Sequence, residues 1–594
     1  MTACNNISYY LKKFREFEKE SEKWEQKCSK SLKIAFLSSF STNGIKEVLT
    51  EKCLQADIFP EIYIGEYNQY FQEVLNPDSF LYAFSPQMIV LFIDTTSLLS
   101  DDYLVSYSDS EKKRKAWVKA KIDELVSLVD RIKEENAAKI VLHNFEVPTY
   151  SPIGILESKQ LFGLMEAVQD LNNRLRDAYK TDHQAFVFDY EAFCSKIGKE
   201  NVIDYKMYYI GDFRLKFDHF PKLCDEYLGY IKPLLSMNKK CVVLDLDNTL
   251  WGGIIGEAGI NGIYLGPVSD GRPFWEFQKF LLSLYQRGII LAINSRNNYE
   301  DAFQVLKEHP HMVLKEEHFA ALHINWNDKV TNIREIANEL NIGTDSMVFV
   351  DDDPLNREMV KSELPEVLVV DLPEDPALYL STLQSVKDLN TLQITDEDKK
   401  KGKIYVNQRQ RNEYQKSFTD VTQYLARLKM EATIEEATPF NTPRLAQLTQ
   451  KTNQYNLTTR RYTEEDIRSF SELSNYSVIA LSVKDKFGDN GLTGMCIIKK
   501  YDEIWEIDSW LLSCRIIGRK IEDVLLAFIL EEARKINVAY LRGIFIPSDK
   551  NAPVQFFLKD HGFNKIDTKN TTEYWEYDVS IEYPYPTFIK LIRR

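Results

Sequence analysis

The chain has 594 residues, 44% hydrophobic and 27% charged, so at roughly 100–200 residues per domain it holds several domains with real cores, and collagen-like or wholly disordered readings fall away. Lys and Arg number 74 against 89 Asp and Glu, a formal net charge of −15, which argues against general affinity for nucleic acid or anionic membrane. No run reaches about 18 consecutive apolar residues, so no membrane-spanning helix is expected.

Residues 1–30 lack the apolar stretch of a secretory signal and read as a charged amphipathic helix. Apolar strands follow at Leu32–Leu37, Met88–Asp94 and Ala138–Asn144, with a helix over Glu111–Asn136. Strands alternating with helices predict a parallel α/β sheet over residues 1–237. The rhythm repeats over 238–375 in CVVLDLD (241–247), IILAINS (289–295), SMVFVDDD (346–353) and VLVVDLP (367–373). Continuous apolar runs of this kind fit parallel strands covered on both faces, whose ligands bind beyond the carboxyl ends. Residues 376–430 read as a charged helical connector. Residues 431–594 mix strands (477–485, 494–502, 504–513, 540–547) with a helix over Glu522–Ile536, an α+β pattern. The eight cysteines (Cys4, Cys28, Cys53, Cys194, Cys224, Cys241, Cys496, Cys514) show no paired spacing, and the eight histidines form no zinc motif. A cytoplasmic protein with reduced thiols is the expectation.

The strongest chemical signal is VVLDLDNTLWGG. A buried strand would carry Asp245 and Asp247 out on one side, with Leu246 on the other. Paired carboxylates repel unless a cation or a shared proton relieves them, and a hard divalent ion such as Mg²⁺ suits an all-oxygen set. The plain alternative is a solvated strand end with a turn at Asp247–Thr249.

These residues resemble the first motif, DxDxT, of the haloacid dehalogenase superfamily. Ser295 at a strand end, Lys329 in INWNDKVTNIREIA and Asp351-Asp352 in VFVDDD match its remaining motifs in order. The resemblance implies Asp245 as nucleophile, Asp247 as general acid and base, and Ser295 and Lys329 as holders of the phosphoryl oxygens. It also implies Mg²⁺ held by Asp245, the Asp247 carbonyl and a fourth-motif acid, Asp352 in preference to Asp351. Only about 40 residues separate Gly253 from Ser295, mostly one helix at Pro273–Arg287. That spacing predicts an uncapped site, open to a bulky partner.

The runs VVLDLDNTLWGGIIGEAGINGIYLG, FQKFLLSLYQRGIILAI, NQYNLTTRRYTEEDI, VKDKFGDNGLTG and SWLLSCRIIGRKIED more narrowly resemble the FkbH-like proteins. That resemblance implies three domains: a degenerate SGNH-hydrolase or flavodoxin-like parallel sheet, an uncapped Rossmann-like phosphatase domain, and a GNAT-like acyltransferase domain. Family members in polyketide pathways take a glyceryl unit from 1,3-bisphosphoglycerate and load it onto an acyl carrier protein. Two departures stand out: Asn294-Ser295-Arg296-Asn297 where the family has CSKN, and Asp353 with Asn356 where it favours DDNPxER.

In the last domain, Cys514 to Lys520 resembles the GNAT pyrophosphate loop, which implies Arg515, Gly518 and Arg519 at the phosphates of CoA or phosphopantetheine. Asn551–Phe563 resembles the helix behind the pantetheine arm. Cys514, beside two arginines, is the thiol placed for acyl chemistry, against the plain alternative of a buried cysteine. Lys484, Asp485, Asp489 and Asn490 border this site or form a hairpin turn. In the first domain Ser38, Ser39, Ser41 and Asn144 stand where an SGNH enzyme keeps its nucleophile and oxyanion donor, but there is no GDS motif and His219 does not give the DxxH spacing. They read as caps and turns, and the domain as a scaffold. The leading expectation is phosphate removal from a small phosphorylated metabolite coupled to acyl transfer onto a carrier. A plain phosphomonoesterase and a GNAT acyltransferase with a vestigial phosphoryl site are the alternatives.

Overall fold

The computed structural model describes residues 6–99, 109–452, 454–548 and 550–594, without the side chains of 396, 397, 451 and 514. The chain forms two compact units, residues 1–238 with 386–393 and residues 239–385 with 394–594.

In the first unit five strands lie in one parallel sheet: β1 (Lys30–Ser38), β2 (Ile58–Ile64), β3 (Met88–Phe92), β4 (Lys139–His143) and β5 (Ala185–Phe188), in the order 2-1-3-4-5. The period-2 alternation of β1 makes both cores. Leu32, Ile34 and Phe36 pack with Val48, Leu49 and Tyr227. Ala35 and Leu37 point the other way, among Leu125, Val129 and Leu171. The helix expected over residues 1–30 is two helices, Ile7–Lys19 and Ser21–Lys27, divided at Glu20. Residues 386–393, which the sequence assigns to the connector, pack into this unit. Asp388 pairs with Lys232 at 2.6 Å and Lys387 with Glu226 at 2.6 Å.

The second unit contains two sheets. β6 (Cys241–Leu244), β7 (Ile290–Ser295), β8 (Phe319–Ile324), β9 (Met347–Asp351) and β10 (Leu368–Asp371) are all parallel, in the order 10-9-6-7-8. β6 is central, fully buried and flanked by β7 and β9. Its carboxyl end therefore opens between two neighbouring strand ends, where open α/β sheets bind ligands.

The second sheet has eight strands: β11 (Met430–Glu436), β12 (Tyr476–Asp485), β13 (Gly488–Lys500), β14 (Ile504–Leu512), β15 (Tyr540–Phe545), β16 (Asn564–Lys569), β17 (Thr572–Asp578) and β18 (Ile589–Arg593). Their order is 16-17-15-14-13-12-11-18, antiparallel except at β14·β15 and β11·β18. β14 pairs with β15 only over Ile504–Ile507, and the two diverge beyond it.

The connector helix Asp396–Gln415 starts at a Thr395 cap and touches both sheets' domains. Gly402 lies against the Tyr285 ring, and a Cβ there would sit 2.1 Å from it. One turn before its end, Arg411 grips Asp485 of β12 through two bonds of 2.6 and 2.9 Å, and Arg519 reaches the same carboxylate at 3.1 Å. All three groups are buried. Removing the acid would strand two arginines out of water, which costs about 3–5 kcal/mol for a broken buried pair. Asp485→Ala is expected to lower the stability of the second unit by that order in urea unfolding, while Lys484→Ala, on an exposed neighbour, changes it by less than about 1 kcal/mol.

Candidate active site

The chain leaves β6 as a tight loop. Leu250 N–H donates to Leu246 O at 2.8 Å, Asn248 takes a left-handed φ of +52°, and its Oδ1 accepts from Gly253 N–H at 2.8 Å. Asparagine tolerates that conformation better than other non-glycine residues. Asp245 N–H donates to Val350 O of β9, so the Asp245 carboxylate lies beside those of Asp351 and Asp352. One oxygen from each of the three falls within a 4.8 Å cluster.

Lys329 holds this cluster together. It opens the helix Lys329–Leu340, capped by Asp328, and its side chain is 1% exposed. The ammonium lies 2.8 Å from Asp245 Oδ1 and 3.0 Å from Asp351 Oδ2, and donates to Asn294 O at 2.8 Å. Burial pulls the ammonium pKa down, but the charges of Asp245 and Asp351 outweigh it and leave it above the ordinary value. Asp351 is fully buried and takes both oxygens to Asn356 Nδ2 at 3.2 Å. Burial, then the Asp245 charge, raises its pKa. Asp352 has fewer partners: Thr249 Oγ1 donates to it at 3.4 Å and accepts its N–H at 3.2 Å. Burial, then Asp245 and Asp351, pushes its carboxyl up to about 7. Three carboxylates against one ammonium are a hard, all-oxygen donor set short of positive charge, which fits a divalent ion such as Mg²⁺.

Asp247 stands apart from that cluster. Its Oδ1 accepts from Trp251 Nε1 at 2.8 Å and Ile255 N–H at 3.1 Å, and its Oδ2 from Asn297 Nδ2 at 2.9 Å. Burial raises its pKa despite those bonds. Asn297 also touches Ser295 Oγ at 3.2 Å, so Ser295 and Asp247 share one bridging amide. After Trp251 the chain makes an antiparallel bridge between Gly252 and Tyr264, a four-residue helix Ile255–Ala258, and then the helix Arg272–Gln286. No separate cap domain interrupts β6 to β9 among the described residues.

Four residues to which the sequence analysis gave no role, Asn294, Asn332, Asn325 and Arg357, complete the geometry. Asn294, where the family has cysteine, is fully buried, and both ends of its amide are used: Nδ2 donates to Lys329 O at 2.9 Å and Oδ1 accepts from Asn332 Nδ2 at 2.9 Å. Asn332 is in turn bonded to Asn325. Arg357 Nη1 caps the carbonyls of Asp351 and Asp352 at 2.8 and 2.6 Å. Asn294 and Asn325 fall in the asparagine-rich runs NSRNN and INWN, which are the sequence signal for them; Asn332 and Arg357 lie outside these runs.

The residues assigned to an acyl arm have other tasks. Arg519 is 4% exposed and bound to Asp485, Gln408 and Arg515 O, and burial, then Arg411, lowers its pKa to about 10. Arg515 Nε donates to Ser513 Oγ at 3.0 Å. Gly518 supplies a left-handed φ of +78°. Asn551 is fully buried, its Nδ2 donating to Asn456 O and Ile546 O and its Oδ1 accepting from Ser548 N–H. The Cys514 side chain, Cys4 and Asn453 lie outside the described residues. In the first unit Ser39 Oγ bonds Asp94, Ser38 Oγ bonds Phe40 O, Asn144 bonds Asp189, and His219 Nε2 meets Asn201 O. Among the described residues neither Ser38 nor Ser39 is bonded to a histidine.

A family model described as the N-terminal domain of FkbH matches residues 33–232. The N-terminal part of the protein BF1531 from Bacteroides fragilis, which contains a phosphatase domain and was crystallised with Mg, is 30% identical. It aligns over 64% of this chain and 99% of its own length, with a TM-score of 0.58. The ribosomal-protein-S18-alanine N-acetyltransferase of Escherichia coli aligns with 25% of this chain and 95% of its own length, at 14% identity and a TM-score of 0.21. No curated protein matches the sequence.

The acid cluster gives a pH-dependent expectation. Between 3.8 and about 7 the folded protein without metal keeps a proton on Asp352 that the unfolded chain has lost. The fold binds more protons there, so this group's contribution to stability falls as pH rises through that window. Added Mg²⁺ is expected to raise the thermal midpoint more at pH 7.5 than at pH 5, and Asp352→Asn to remove most of that difference in differential scanning calorimetry.

Proposed function

The chain belongs to the FkbH-like family and carries a haloacid dehalogenase-type phosphatase domain; we propose that this domain transfers a phosphoryl group from a small phosphorylated metabolite to Asp245 and then to water. The observation that carries the reading is the Asp245 carboxylate at the end of the central strand, 2.8 Å from a buried Lys329 and beside two further acids.

Asp245, Asp351 and Asp352 would hold Mg²⁺, which when bound supplies charge neutralisation for the phosphoryl oxygens. Asp245 attacks phosphorus, and the bond from phosphorus to the substrate oxygen breaks. Asp247, its pKa raised by burial, gives its proton to the leaving oxygen. In the second half the same carboxylate takes a proton from water as that water attacks the aspartyl-phosphate, releasing orthophosphate. Trp251, Ile255 N–H and Asn297 fix the Asp247 carboxylate for both transfers. Ser295 and Lys329 hold the phosphoryl oxygens, and Asn294 and Asn332 hold Lys329 in register.

The finer part of the proposal is the donor and the acceptor. The family resemblance points to a glyceryl phosphate donor whose acyl unit passes to a carrier-protein thiol. Support comes from the short connections around the site and from exposed Ile254, Tyr264 and Trp326 on its flanking loops, which leave it open to a bulky partner. Asn294 replaces the family cysteine and is locked into the Lys329 network, so the acyl unit has no thiol beside Ser295. That observation favours the second reading, a plain phosphomonoesterase.

Intact-protein mass spectrometry after mixing with Mg²⁺ and freshly generated 1,3-bisphosphoglycerate separates the two. An added glyceryl mass lost in Cys514→Ala is the expected sign of loading. Phosphate release without an adduct leaves the phosphomonoesterase. Asp245→Asn is expected to reduce phosphate release to background. Asp247→Asn is expected to slow it by about 10²–10⁴-fold. Retained turnover in Asp245→Asn overturns the nucleophile assignment.

A further inference from the structure

The sequence resemblance places a CoA or phosphopantetheine arm in the last sheet, and a slot for an extended arm exists there in outline. β14 and β15 are parallel neighbours that pair only over Ile504–Ile507, so the backbone of β14 from Asp508 onward faces a widening gap. An extended ligand gains affinity in such a gap by taking the position of a strand.

That position is filled by the chain itself. Residues 455–458 run antiparallel to β14, with Asn456 opposite Leu511. Leu457 N–H donates to Trp510 O at 3.1 Å, Leu512 N–H donates to Tyr455 O at 3.0 Å, and Thr458 Oγ1 donates to Asp508 O at 3.1 Å. On the opposite side Ile546 N–H, just beyond β15, donates to Leu457 O at 2.9 Å. The segment thus bridges the two diverging strands.

Side chains fix it there. Leu457 is 1% exposed, within the core that includes Trp510, Val554 and Phe557. Asn456 is fully buried; its Oδ1 accepts from Thr458 N–H and Thr459 N–H, and its Nδ2 donates to Thr452 O. Its carbonyl accepts from Asn551 Nδ2 at 3.0 Å. The helix start that would receive the phosphates, at Ile521–Lys535, carries Glu522 and Asp523 in its first turn. Those acids are unfavourable neighbours for a pyrophosphate. Asp523 is held by His561 at 3.0 Å and Tyr583 at 2.7 Å.

We infer that residues 455–458 are a built-in strand occupying the arm slot, and that the last sheet takes no CoA or phosphopantetheine arm between β14 and β15. Asn551, Asn456 and the NQYNLTT run then serve to lock this strand. The inference is independent of the phosphatase reading, because its readouts come from the last sheet alone.

The test uses the full chain with acetyl-CoA as probe. Isothermal titration at millimolar acetyl-CoA is expected to give no saturable heat. Hydrogen exchange followed by mass spectrometry is expected to show 455–458, Leu512 and Ile546 exchanging as slowly as the paired part of β14, unchanged by acetyl-CoA. Asn456→Ala is expected to speed exchange across 455–458 at least tenfold while phosphate release stays unchanged. Saturable acetyl-CoA binding overturns the inference, as does exchange across 455–458 in the unaltered protein as fast as in an exposed loop. Phosphate release from the same sample reports separately on the phosphoryl site.

Discussion

The buried ammonium of Lys329 is the constraint on which the phosphoryl site depends. Three carboxylates with oxygens inside 4.8 Å cannot all ionise in a half-buried cleft without positive charge. Lys329 meets Asp245 and Asp351, and leaves Asp352 as the acid with the least support. One fixed cation is too few for the set, and that deficit gives the site its capacity for a divalent ion and for phosphoryl oxygens. A site balanced by protein charges alone would have less use for either.

The rest of the first half of the second unit keeps that ammonium in place. Lys329 is the first residue of its helix, so a small rotation of the helix start would move the ammonium off both acids. The Asn294–Asn332–Asn325 amide chain prevents the rotation by tying the helix to the end of β7 and the loop after β8. An amide at 294 supplies a strong donor and a strong acceptor at once, where a cysteine thiol would offer only a weak donor and a weak acceptor. The substitution at this position thus exchanges a reactive group for a positional one.

The last sheet shows the opposite use of buried polarity. Arg411, Arg519 and Asp485 form a closed set, and Asn456 and Asn551 spend their amides on backbone groups of the same domain. Apart from Arg411 Nη1, which is buried without a partner among the described residues, these groups are bonded within the same domain. The contrast separates a site held open for chemistry from polar groups that secure a fold.

The sequence determined which strands are central and where the acids fall along the chain. β1, β3, β4, β6, β7, β9, β10, β12, β13, β14 and β15 all read as apolar runs, and all of them except the edge strand β10 are flanked by strands on both sides. β2, β5, β8, β11, β16 and β18 lie at or near sheet edges, where half-exposed residues blur the pattern, and the reading passed over them. β17 alternates half-buried and charged residues and was missed for the same reason. Asp245, Asp247, Asp351 and Asp352 were legible as acids at strand ends, and Ser295 and Lys329 through the resemblance of their runs to the superfamily's motifs. Tertiary structure decided what each side chain meets. Only the fold brings Asn294 to Lys329, separates Asp247 from the other three acids, and seats residues 455–458 beside β14. Local pattern records burial and period. Partnership across dozens of residues is fixed by strand order and register, which no local pattern contains.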